Sequence, residues 1–170
     1  MKKIRQSVSM FAVFIALSIP LASVAYAQSG QTPSTAMGPM AQPSEAVAMP
    51  SPEALTVLVQ AALGTLNDAN LTGDYSVLLK KSSAGFKGAN TEGDLLLGFA
   101  QFKEQEIDLS ASIIYPIVWS QAPMIEGQSL RLIGAVDSRP QAILFDLGFI
   151  LEEGKWKLAA ISVGLSAPAK

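Results

Sequence analysis

From Leu130 to Val163 the chain is three apolar runs separated by two sets of turn residues. Runs rich in Ile, Leu, Val and Phe, punctuated by Asp137-Ser138-Arg139-Pro140 and Glu153-Gly154, predict an antiparallel strand meander. Glu153-Gly154 suits a two-residue hairpin loop closed by Glu152 and Lys155, which sets Phe149 opposite Leu158 and Leu147 opposite Ala160. A four-residue loop closed by Val136 and Gln141 sets Leu132 opposite Phe145, Leu130 opposite Leu147 and Arg131 opposite Asp146. Both hairpins then deliver Phe145, Leu147 and Phe149 to one face, beside Leu130, Leu132, Trp156 and Leu158. Because strand side chains alternate, the other face receives Ile133, Leu144, Ile150, Ile161 and Val163.

Before the meander the period changes to that of a helix. Ser51-Pro52-Glu53 supplies an N-cap, a proline for the first turn and an acid at the positive end of the dipole. Leu55, Leu58, Val59, Ala62, Leu66 and Ala69 follow at helical spacing, with Asn67 and Asp68 off the stripe and Asn70 and Gly73 as the stop. A second, shorter helix is expected to start at Thr72 or Asp74 and carry Tyr75, Leu78 and Leu79. Polar Ser82 to Asn90 reads as a loop. Thr91 with Asp94 is a form of the capping box and opens a third helix with Leu95, Phe99 and Phe102 inside, ending near Lys103. Asp108 falls at a helix-to-strand junction. Ile113, Tyr115, Ile117 and Trp119 alternate as a strand, with Pro116 marking an edge or bulge, and Gln121 to Ser129 reads as a loop. Helices followed by strands make an α+β domain: three N-terminal helices packed on a curved antiparallel sheet of about four strands.

The first 27 residues change which part of the chain is expected to work. A basic start (Lys2, Lys3, Arg5), an apolar stretch from Met10 to Ile19, Pro20 and then Ala25-Tyr26-Ala27 form the three-part pattern of a signal peptide, with cleavage expected before Gln28. The apolar stretch is short for a membrane span, no Cys follows it to take a lipid, and there is no twin arginine. The expected location is therefore the periplasm or the medium. Gln28 to Pro52 is a Pro-, Ser- and Met-rich leader with one charge, Glu45. Its methionines Met37, Met40 and Met49 are unevenly spaced and unaided by Cys or His, so they read as composition and not as a soft-metal site. Residues 53–166 form the domain.

Charge and missing residue types narrow the chemistry. The chain has 12 Lys+Arg and 14 Asp+Glu; loss of the three signal bases leaves 9 against 14, a net charge of −5. Without basic clusters there is no electrostatic footprint for nucleic acid. The absence of Cys leaves stability to an ordinary core. The absence of His removes the usual general base near neutral pH and the commonest transition-metal ligand. No Gly-rich phosphate loop, nucleophile triad or metal-spaced ligand set occurs, and no cofactor or metal is assigned.

Three helices, the Thr72-Gly73-Asp74-Tyr75 step and the closing Glu153-to-Leu158 hairpin together resemble the NTF2-like (SnoaL-like, cystatin-like) superfamily. Asp108-Leu109-Ser110, Leu130 to Gly134, Arg139-Pro140 and Phe145-Asp146-Leu147 more narrowly resemble exported proteobacterial NTF2-like proteins of unassigned activity. The resemblance covers roughly residues 53–163. It implies a conical half-barrel with an apolar cavity between sheet and helices, and frequent dimerisation through the outer sheet face. Enzymatic relatives typically use Asp-His pairs, or a Tyr with carboxylates, in that cavity; the histidine half is missing here. The fold hosts enzymes and binders alike.

Tyr115, Trp119, Phe145 and Phe149 are accordingly the expected cavity lining, and a non-catalytic binding module is the expected function. It would hold a small apolar ligand in the cone or a protein partner on the sheet. The competing class is a cofactor-free isomerase or lyase that pairs a Tyr with Asp74, Asp94, Asp108 or Asp146. Capping explains the first three acids. Asp146 turns to the outer face, where Arg131, Ile133, Leu144, Asp146 and Ile161 are the expected homodimer interface. No catalytic residue is assigned.

Overall fold

The computed structural model describes residues 47–167. The signal segment expected over 1–27, and the leader expected over 28–52 up to residue 46, lie outside them. Five helices precede an open, antiparallel five-stranded sheet, so the class is α+β. None of the helices among the described residues is long and apolar enough to cross a membrane.

Helix α1, Pro52–Thr72, begins where its cap residues dictate: the Ser51 hydroxyl accepts from the Ala54 amide at 3.2 Å. It ends at Gly73, whose φ of 78° is the left-handed conformation that lets its N–H close on the Ala69 carbonyl. Its buried side holds Leu55, Val59, Leu63 and Leu66, and also Asn67 and Asn70. Those two amides are inside because each has a task. Asn67 Oδ1 accepts from the Leu109 amide at 2.8 Å, and Asn70 Oδ1 from the Tyr75 hydroxyl at 2.6 Å.

The three expected helices become five. Helix α2 is Ser76–Lys81, and the stretch expected as a loop holds α3, Ala84–Ala89. Ser83 caps α3 by accepting from Phe86 N, and the Glu152 carboxylate accepts from Ala84 N at 3.1 Å. That pairing is non-local, between residues 68 positions apart, so local polarity could not reveal it. Helix α4, Glu92–Gly98, opens on the capping box of Thr91 and Asp94, as expected. It is separated at Phe99 from α5, Ala100–Glu104. The Phe99 ring stacks on Tyr75 at 6.3 Å and meets Phe102 edge-on at 5.7 Å.

The sheet consists of β1 (Ile117–Trp119), β2 (Met124–Glu126), β3 (Ser129–Val136), β4 (Ile143–Glu152) and β5 (Lys155–Leu165), in the order β1-β3-β4-β5. Strand β2 pairs with the first half of β3 and β1 with its second half, so both share one edge. The expected first strand is cut short: Ser110–Ile113 is a 3-10 turn instead, and pairing starts only after Pro116.

Two registers depart from expectation. Leu132 lies opposite Leu147 and Leu130 opposite Phe149, a shift of two residues, because the loop before β4 runs to Ala142. Ser138 Oγ donates to the Gln141 carbonyl, and the Ala142 amide donates to Ser166 Oγ, which hold that longer loop closed. A shift of two preserves the face of every side chain. The β4–β5 turn forms as expected, with Glu153 and Gly154 at φ of 51° and 73° and Phe149 opposite Leu158. Beyond it, Ala159 is an extra residue, and Gly148 pairs with Ala160. This bulge reverses the faces of the rest of β5. Ile161 and Val163, expected on the outer face, are each 1% exposed within the core.

Candidate functional site

The inner side of the sheet, where a ligand cavity was expected, holds packed side chains. Phe145 and Phe149 are 3% and 4% exposed among Leu130, Leu132 and Leu147. Trp119 stands edge-on to Phe145 at 6.1 Å and 88°. Gly134 makes that contact fit: a Cβ there would stand 2.6 Å from the Val118 carbonyl and 2.9 Å from Phe145 Cζ. Tyr115 does not join this group. It sits ahead of β1, 40% exposed, because Pro116 and the 3-10 turn break the alternation that would have aligned it with Trp119.

The carboxylates named as possible bases are occupied elsewhere. Asp74 Oδ1 accepts from the Ser76 amide at 2.8 Å. Asp94 Oδ2 accepts from the Thr91 hydroxyl at 2.7 Å and its amide at 2.9 Å, and Asp108 accepts from the Ser110 amide and hydroxyl, both at 2.8 Å. The Thr91 hydrogen bonds, side chain before backbone, hold Asp94 below its ordinary range; the Ser110 amide and then its hydroxyl do the same for Asp108. Carboxylates stabilised as anions are weak bases. The buried phenol of Tyr75, its pKa raised by burial, donates to the neutral amide of Asn70. Among the described residues no tyrosine hydrogen-bonds a carboxylate.

The outer side is open. Arg131, Ile133, Leu144 and Asp146 all project there, and Ile161 does not, because the bulge turns it inward. Arg131 lies opposite Gly148 and Asp146 opposite Ile133, yet the two meet diagonally as a fork: Arg131 Nε to Oδ1 at 3.0 Å and Nη2 to Oδ2 at 2.6 Å. The Asp146 carboxylate, by accepting these bonds, raises the guanidinium's pKa further. The ion pair stays wet, with side chains 55% and 25% exposed.

Beside this pair lies a hollow of about 410 Å3. Gly148, Ala160 and Ser162 floor it with small side chains; Ile150 adds apolar surface; Met124 and Glu126 of β2 wall one side. Ser83 and Gly85, at the start of α3, wall the other, tied there by the Ser83 amide donating to the Leu158 carbonyl at 2.8 Å. Phe149 and Ile161 border the hollow only from beneath, their side chains being core.

Sequence reasoning missed both walls, since 121–129 and 82–90 were expected as loops. One signal was present. Glu126-Gly127-Gln128-Ser129 is a two-residue hairpin with Gly127 at φ 60°, and Met124 and Ile125 alternate ahead of it. The volume lies within the range of about 300–1,000 Å3 common for small-molecule sites. Comparison of the chain with protein-family models, with curated proteins and with solved structures finds no match in any of the three.

Proposed function

We propose that this chain is an exported, non-catalytic binding module whose ligand seat is the hollow on the outer face of the sheet. The observation that carries the reading is the contrast between the two faces. The inner face is filled by Phe145, Phe149, Leu132 and Leu147, whereas the outer face offers about 410 Å3 with a small-residue floor and a single fixed polar fork, Arg131–Asp146. An apolar concavity with few placed polar groups is what a small amphipathic ligand requires. The NTF2-like kinship is proposed from the sequence motifs alone; on that reading the seat lies outside the cone. A Tyr–Asp isomerase finds no support in these side chains, because the phenol and the acids have other partners.

The test is to fill the floor. Ala160→Leu projects outward from β5 and should abolish capture of a small molecule by protein purified from its own host, read by native mass spectrometry. Melting should stay nearly unchanged, since the substitution points to solvent. An unliganded wild type, or a ligand retained by Ala160→Leu, would defeat the reading.

A second copy on the same face is the alternative occupant. The observation favouring it is that Val118 and Met124, 56% and 44% exposed, extend the apolar surface of Ile133 and Leu144.

A further inference from the structure

We infer that the hollow selects an amphipathic cation, an apolar body bearing one ammonium or guanidinium group, over fatty-acid-like anions. The inference rests on the reading of the hollow as a ligand seat. Four ionisable side chains border it: the carboxylates of Glu126, Asp146 and Glu152, and the guanidinium of Arg131. One cation against three anions leaves a formal charge of −2 inside a partly walled, apolar space, where a field is screened less than in open water. Lys155 and Lys157 share this face, opposite Glu152 and Ile150, but neither borders the hollow.

The obvious competing reading makes Arg131 an anchor for a ligand carboxylate. Geometry argues against it. The Nε and Nη2 edge of the guanidinium, the edge suited to a bidentate carboxylate, is already taken by both oxygens of Asp146. An anion reaching the remaining N–H groups would lie near Asp146, and near the Glu126 carboxylate whose field also bears on Arg131. A cation meets the opposite situation. Glu126 is exposed on the β2 wall and makes no ion pair among the described residues, so its charge is free to pair with an ammonium. Glu152 accepts from the Ala84 amide at the start of α3 and borders the hollow at that end. The floor of Gly148, Ala160 and Ser162 leaves room for an alkyl chain beside Ile150, which is level with Glu126 through Ser129.

Three probes of one chain length decide it: octyltrimethylammonium, octanoate and octyl glucoside, each titrated below its micelle concentration. Affinity is read by calorimetry, and location from the amide resonances of Gly148, Ala160 and Ser162. The cation should bind at least about tenfold more tightly than octanoate, a difference of about 1.4 kcal/mol. Glu126→Gln should cut that ratio by about threefold, and added salt should narrow it. Octanoate binding as tightly as the cation, or a ratio that Glu126→Gln leaves unchanged, overturns the inference. If octyl glucoside perturbs the floor resonances but charge makes no difference, only the selectivity fails. If none of the three probes perturbs them, the ligand-seat reading itself fails.

Discussion

At the scale of single residues, the Arg131–Asp146 fork shows what a strand pattern can and cannot reveal. The sequence places both side chains on the outer face. It also places them directly opposite, and the structure puts them one step along the diagonal, with Asp146 facing Ile133. Because the register error is an even number of residues, the face survives and two long side chains still reach each other. Their exposure decides the energetics. A fork this wet should contribute about 0.2–1 kcal/mol, whereas a pair sealed from water would cost about 3–5 kcal/mol on loss of one partner. A double-mutant cycle of Arg131→Met and Asp146→Asn, read by urea unfolding, is therefore expected to give a coupling below about 1 kcal/mol. A coupling of several kcal/mol would mean that something covers this face in solution. Tyr115 shows the opposite case. Its assignment to the inner face needed unbroken alternation across Pro116, and the strand begins only after that proline.

At the scale of elements, capping signals were legible because they are local, and the bulge was not because it depends on two strands at once. The Thr91–Asp94 box could be read from four residues and forms as expected. Its pH dependence has a definite sign. Asp94 has a folded pKa below its ordinary value of 3.8, so its contribution is fully present above that value and is lost as pH falls through the folded pKa. Acid titration of helical circular dichroism should show a loss beginning below about pH 4 that Asp94→Asn diminishes. Nothing local announces the extra residue at Ala159. Next to it Gly148 and Ala160 pair closely: a Cβ added at Gly148 would stand 3.1 Å from Ala160 Cβ. The bulge turns Ile161 and Val163 into the core, and burying such a side chain is worth about 1.5–3 kcal/mol. Deletion of Ala159 would bring Leu158 next to Ala160, so that the Gly148–Ala160 and Leu147–Ile161 pairs form a regular ladder and both side chains stay inward; its melting should remain near wild type. Truncating both, Ile161→Ala with Val163→Ala, is expected to lose about 3–6 kcal/mol, a large share of the roughly 5–15 kcal/mol that holds a domain together. Near-wild-type urea unfolding of the double variant would show that the core does not depend on these two side chains.

At the scale of the whole molecule, the bulge also decides how much apolar surface the outer face retains. Five aliphatic side chains were expected there, enough to require a second copy. Two of them, Ile161 and Val163, are core residues, and between Ile133, Leu144 and Ile150 the face carries small residues and a wet ion pair. A flat dimer interface needs a contiguous plate that buries about 800 Å2 per partner; a hollow with a Gly, Ala and Ser floor leaves such a plate poorly packed at its centre. Removal of residues 1–27, proposed from the three-part pattern at the start of the chain, would leave a net charge of −5, which would oppose self-association at low salt. On that proposal, protein recovered from the periplasm or medium should give a first residue of Gln28 on N-terminal sequencing. In sedimentation at tens of micromolar it should run as a monomer. Retention of Lys2 on membrane-bound material would replace export with anchoring. A dimer that Ile133→Lys dissolves would identify the outer face as the contact between copies, and the hollow would then be closed by a neighbour, not by a ligand. A monomer whose sedimentation is indifferent to Ile133→Lys leaves the hollow free for the ligand its walls and charges fit.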